Sequence, residues 1–334
     1  MGYLVLLFLR RITNTWAMMW QSFSVVRSYQ PLMLLPVIST VFCLLTSIIV
    51  LGGSVLVFDI PVQSARFAPT TPRVSAEGAQ RALLAGLNRV LDYDDDVRTR
   101  AARAQTPEER RNREHEWLTL FFFYLANYFV ISYFNVAFAS VVLNHLDGGH
   151  ATLNDGLQVA WTRKGSILQW AILASTVGVL LKMIGRRSRL GRWIAGILGY
   201  TWRLGSYFAI PILALGDVGA GEALELSSRV LKQKWGEVVV AQFSFSLLFT
   251  VLAIPGSALF FLLGGALGQS LGFVGLVTMI YWIWLSILIF SAEQVFIAAL
   301  YRYATRSEVS KGFTKSDLQS AWEGLEPLPA GQAL

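Results

Sequence analysis

The sequence predicts an all-α fold, a polytopic membrane helical bundle of about six transmembrane helices with three or four interfacial amphipathic helices. Three observations carry this reading. Hydrophobic residues make up 54% of the chain and charged residues only 15%, with a mean hydropathy of +0.51, a balance outside that of water-soluble domains. The apolar residues are gathered into long blocks, several of which reach the ~20 residues needed to cross a hydrocarbon core of ~30 Å. Between the blocks lie short segments with apolar residues at helical spacing that end in basic residues, the pattern of helices lying in the headgroup region.

Taken in order, residues 1–31 read as an N-terminal interfacial helix. Arg10, Arg11, Asn14, Gln21 and Arg27 interrupt it too often for a span, while Trp16, Met19, Trp20, Phe23 and Arg27 share one helical spacing. The opening residues lack the basic start and cleavage site of a secretory signal, so the whole chain is expected to be mature protein. Pro31 opens the first span, 32–58, with Pro36 near its start. The single cysteine, Cys43, lies inside this span, which leaves no disulfide framework. Residues 59–116 form a polar insert with ten Arg, no Lys and ten acidic residues, so it is neutral overall; Leu83, Leu84, Leu87, Val90 and Leu91 give it one apolar helix face.

The second span, 117–143, carries Asn127 and Asn135. An interfacial helix follows at 144–164, with Thr152 as N-cap and Asp155 at N3. The third span is 165–184 and the fourth 193–215, separated by a basic loop containing Arg186, Arg187, Arg189 and Arg192; Arg203 and Pro211 interrupt the fourth. Residues 216–236 form another interfacial helix. Glu222 and Glu225 lie in its first turns and Arg229, Lys232 and Lys234 in its last, which suits the helix dipole. The fifth span, 237–263, is expected to kink at Pro255. A chargeless turn leads to the sixth, 272–301, and the tail 302–334 carries a short helix capped by Thr314 and Asp317. Gly264, Gly268 and Gly272 have the spacing of close helix packing and also straddle a turn, so both roles stay open. Three segments, 15–31, 152–166 and 219–236, repeat one plan, an amphipathic helix ending in basic residues and leading into a pair of spans.

A net charge of +7 is read as basic residues facing a lipid bilayer and its anionic headgroups rather than nucleic acid. Lys and Arg totals do not decide orientation, 12 on the side of the termini against 15 on the other. The chargeless turn and the three amphipathic helices favour both termini in the cytoplasm of a cell that holds the protein in its inner or plasma membrane. The basic loop Lys182–Arg192 runs against that assignment.

Arg203 and Glu293 are the ionisable residues farthest inside predicted spans, where a charge costs about 2.5–3.5 kcal/mol on insertion scales. With Asn127 and Asn135 they form the candidate polar site, as a structural ion pair or as a relay for an ion or substrate. His145, Asp147 and His150 match no zinc signature, and the Asp92–Asp96 run lacks the glycine and closing glutamate of a calcium loop. No metal, cofactor or catalytic residue is assigned, and the absence of hydrolase, nucleotide-binding and metalloprotease motifs leans away from an enzyme.

Three blocks, LDGGHATLNDGLQVAWTRKGSILQWAILASTVG, FAIPILALGDVGAGEALELSSRVLKQKWGE and ALYRYA at 299–304, resemble an uncharacterised family of prokaryotic six-span membrane proteins. That family is similar in style to the membrane domain preceding some glycerophosphodiester phosphodiesterases. The resemblance implies architecture and supplies no activity; Arg203 and the Arg-rich insert depart from it. Two function classes follow: a membrane interaction or assembly component, with a membrane-protein partner or a second copy, and a transporter or lipid-handling permease, supported by Arg203, Glu293, the proline breaks and the pseudo-repeat.

Overall fold

A computed structural model of the protein describes residues 19–58, 107–267 and 271–306. The helix expected in the polar insert, the Asp92–Asp96 run, the capped helix of the tail, Arg10, Arg11 and Gly268 lie outside the described residues. Every regular element within them is helical. In order they are α1, which includes 19–28, a 3-10 turn at Gln30–Met33, α2 (Leu34–Phe58), α3 (Pro107–Leu146), α4 (Leu153–Thr162), α5 (Lys164–Arg187), α6 (Arg189–Gly205), α7 (Ala209–Leu215), α8 (Ala220–Leu267) and α9 (Leu271–Arg306).

Four segments are long and apolar enough to cross a membrane: Gln30–Ser54, His115–Leu146, Lys164–Arg186 and Val274–Arg302. A fifth arises only if Arg189–Leu215 and Ala220–Lys232, bent by 120° at a short break, are taken as one broken span. The expectation of six spans is therefore corrected to four or five among the described residues. The fourth expected span is interrupted between Gly205 and Ala209; of the fifth, the described residues carry the apolar stretch Gln242–Ala258 inside the single helix Ala220–Leu267.

Of Pro36, Pro211 and Pro255, two stand at helix starts and one inside a helix. Pro36 and Pro211 each occupy the first turn of a helix, α2 and α7, where a missing N–H leaves no bond unmade. Neither breaks its helix. Pro255 lies inside α8, which continues through it. One turn earlier the Leu252 carbonyl accepts a hydrogen bond from the Tyr281 hydroxyl of α9. Gly256 makes room for that ring, because a Cβ there would meet Tyr281 Cδ1 at 2.5 Å.

The chain divides into two compact units. The first comprises the residues through Cys43, Phe129–Ala171 and those from Trp202 on. Its core includes Phe138, Phe208, Ile212, Leu213, Phe296 and Leu300, all fully buried. The turn after α3 is made possible by Gly148 at φ 86°, a left-handed conformation that side chains disfavour. The capping box of α4 is formed: the Thr152 side chain accepts from the Asp155 N–H and the Asp155 carboxylate accepts from the Thr152 N–H at 2.7 Å. These bonds hold the exposed Asp155 carboxyl below its ordinary pKa. The α4 helix lies close on α3, so that a Cβ at Gly156 would meet the Ala137 carbonyl oxygen at 2.6 Å.

The second unit comprises Leu44–Tyr128 and Ile172–Thr201. Its helices pack through small contacts, Gly178 against Tyr128 and Gly185 against Ala195. Its basic end is partly neutralised. Arg186 donates to Glu116 at 2.7 Å and lies over the Trp117 ring, which gives one of the arginines opposing the orientation reading a local partner.

Candidate functional site

The site grows out of the break between α6 and α7 in the first unit. Gly205 ends α6 and Ala209 begins α7, so the backbone groups between them lose helical partners. Two serines of α8 answer them. The Phe208 N–H donates to the buried Ser227 hydroxyl at 3.0 Å, and the Ser228 hydroxyl donates to the Gly205 carbonyl at 3.5 Å. Stacking of Trp170 on Trp202, with ring centres 5.8 Å apart, holds the end of α6 from another side.

The far end of α7 is held by one side chain. The Arg163 guanidinium donates to the carbonyls of Leu213 at 2.7 Å, Gly216 at 3.0 Å and Leu215 at 3.0 Å. A planar fork of donors suits a frayed helix C-terminus, where several carbonyls point outward together. The Ser166 hydroxyl donates to Asp217 just beyond it, at 3.3 Å. Both ends of this short helix are thus fixed by side chains from elsewhere.

Within that frame lie Arg203, Tyr207 and Glu293. Arg203 sits in the last turn of α6, where a cation is favoured by the helix dipole, and part of its side chain is exposed. Glu293 lies in the second half of α9. The charges of Arg203 and Glu293 act on each other and on Tyr207. Arg203 and Glu293 do not form the direct ion pair allowed by the sequence; no hydrogen-bonded contact joins them. The Tyr207 hydroxyl is buried and has no hydrogen-bond partner, an arrangement that costs about 1–3 kcal/mol when nothing satisfies the group. Tyr207 was not foreseen; the signal for it was a polar-tipped aromatic four residues after Arg203, just beyond a glycine.

The remaining sequence candidates scatter. Asn127 belongs to the second unit, where it accepts from the Ser47 hydroxyl at 3.3 Å and donates to the Phe123 carbonyl at 2.9 Å. Asn135 is partly buried on α3 in the first unit. Asp147 forms an ion pair with Arg302, a residue only 4% exposed, and His145 stacks on Tyr29. These neighbours therefore have structural partners, and among the described residues no group of three His, Cys, Asp or Glu could hold a metal ion. Lys232 is exposed on α8. Gly264, Gly272 and Lys234 are helical, and their packing lies outside what is described.

Fold and site together define an all-helical protein with several helices apolar enough to cross a membrane and a polar cluster at a helix break. More specifically, the chain belongs to the family of unknown function DUF6159, which it matches over residues 115–312, more than half of its length. The match takes in most of α3 and all of α4 to α9, and with them Arg163, Arg203, Tyr207 and Glu293. No characterised protein and no solved structure was found to match the chain.

Proposed function

We propose that the protein is a multi-pass integral membrane protein of the cell membrane that binds and moves a polar solute through the cluster of Arg203, Tyr207 and Glu293. This is the work of a transporter or lipid-handling permease. The observation that carries the proposal is the Tyr207 hydroxyl, buried without a partner beside a carboxylate and a guanidinium that are not locked to each other. That hydroxyl is open to a bond from a bound solute, because an unmet polar group inside a bilayer has no water to turn to. Interrupted helices next to intramembrane charges are the usual setting of transport sites. In this reading Arg189, Arg192 and Lys232 meet anionic headgroups, and the α4 and α8 N-terminal segments lie on the cytoplasmic side with both termini.

Native mass spectrometry of the gently solubilised protein tests this. Wild type is expected to retain a small polar solute or lipid that Glu293→Gln loses, while thermal stability stays within about 1 kcal/mol, since no direct ion pair is broken. A variant that instead unfolds at markedly lower temperature and keeps the same retained mass would mark Glu293 as a structural residue.

A further inference from the structure

Away from that cluster, α1, α8, α9 and the 3-10 turn enclose an apolar groove of about 890 Å³, within the size range of ligand pockets, roughly 300–1,000 Å³. Its floor is made by Val26, Leu248 and Leu285, all buried. Two indoles flank it, Trp20 and Trp284, 57% and 53% exposed. Among the described residues Arg27 is its one charged lining residue, exposed and without a carboxylate partner.

This combination has a definite chemistry. An apolar floor accepts hydrocarbon. Indole rings belong at the boundary between hydrocarbon and headgroups, where one edge is wet and the face is apolar. A guanidinium beside them offers a forked set of donors shaped for phosphate oxygens, and among the described residues no acidic one lines the groove to compete. A neutral partner would leave Arg27 unused, and a soluble anion would leave the floor bare. We infer that the groove bounded by α1, α8 and α9 is a binding site for an anionic phospholipid, its acyl chains on Val26, Leu248 and Leu285 and its phosphate against Arg27. The inference rests on the chain being embedded in a membrane and does not depend on the Arg203 cluster.

The test is competition between lipids, with the full chain in detergent micelles doped with equal amounts of phosphatidylglycerol and phosphatidylcholine of identical acyl chains. Native mass spectrometry reads the ratio of the two adducts. Wild type is expected to favour phosphatidylglycerol by about tenfold, because both lipids offer a phosphate to Arg27 but the choline ammonium of phosphatidylcholine sets a second cation beside the guanidinium. Arg27→Gln should bring the ratio close to one, and Arg27→Lys should keep part of the preference. Ser24→Trp, which fills the groove from an exposed position, should lose both adducts, while Glu293→Gln should leave the ratio as in wild type. Glycerol phosphate, which has a headgroup and no chains, should not displace the lipid. Equal adducts in wild type, or a preference that survives Arg27→Gln, would mean lipid of the surrounding annulus only and would overturn the inference. So would displacement by glycerol phosphate, or a second copy of the chain in place of lipid. Arg27 is exposed, so its variants keep the test decisive even where Ser24→Trp fails to fold.

Discussion

In the unit containing α7, α8 and α9, side chains from elsewhere meet the backbone at both ends of α7. Arg163 holds three carbonyls at its end, and Ser227 and Ser228 bridge the break before it. In the unit made from the far parts of α2, α3, α5 and α6, the break between α5 and α6 is met locally, by the Ser188 hydroxyl accepting from the Gly191 N–H at 2.9 Å. Its helices run without internal breaks, and its surface is apolar: Ile48, Ile49, Leu190 and Trp193 are 68%, 70%, 68% and 76% exposed. In water that surface would be a liability, and broken backbone would simply be hydrated. In a bilayer the pattern makes sense on both counts, because lipid accepts the apolar surface and cannot satisfy a free carbonyl. One unit carries the broken α6–α7 backbone and the polar cluster; the other exposes long apolar helix faces.

The contrast can be broken by experiment, beginning with the largest expected effect. Arg163→Ala removes the donors of three hydrogen bonds, two of them part-buried, at the end of α7 and is expected to cost roughly 3 kcal/mol, judged from hydrogen bonds to charged groups, read as thermal unfolding in detergent. Arg163→Lys should restore little, since a single ammonium cannot copy the fork. Next, Gly156→Ala places a methyl against the Ala137 carbonyl and the Val141 side chain; overpacking of this kind costs about 1–3 kcal/mol. In the second unit, Arg186→Gln breaks the half-exposed pair with Glu116 and should change stability by no more than about 1 kcal/mol. If Arg186→Gln proved as damaging as Arg163→Ala, the division of labour between the units would fail.

The smallest effect concerns pH. Asp155 has its pKa lowered by its bonds to Thr152, so its contribution is complete above the ordinary aspartate value and is lost as pH falls through the lower folded value. Stability measured from neutral pH down into that acidic window should therefore decline more in wild type than in Thr152→Ala, which has already lost the cap.

The all-α class was legible because apolar blocks of membrane length cannot be mistaken for strands or for an amphipathic water-soluble surface. The capping box of Thr152 and Asp155 was legible for a local reason: its partners are three residues apart. What escaped the sequence was non-local. Arg163 stood out only as a basic residue before a span, and its three carbonyl partners lie about fifty residues on. The break of the fourth segment was expected at Pro211 and occurs before it, after Gly205, because proline in a first turn costs a helix nothing while the serines of α8 stabilise an opened turn upstream. Arg203 and Glu293 were identified from the expense of charge inside apolar runs. Tyr207 was invisible to that criterion, since a tyrosine in such a run is ordinary until burial leaves its hydroxyl alone.

That hydroxyl gives the most direct test of the central claim, that the cluster at the α6–α7 break is a site left open for a ligand rather than a structural lock. The measurement is the thermal stability of Tyr207→Phe in detergent, without added ligand. A hydroxyl that bonds to nothing contributes nothing to the fold, so the variant is expected to be as stable as wild type or slightly more so. A loss of about 1–3 kcal/mol, the cost of removing a buried hydrogen bond with its partner left behind, would contradict the account.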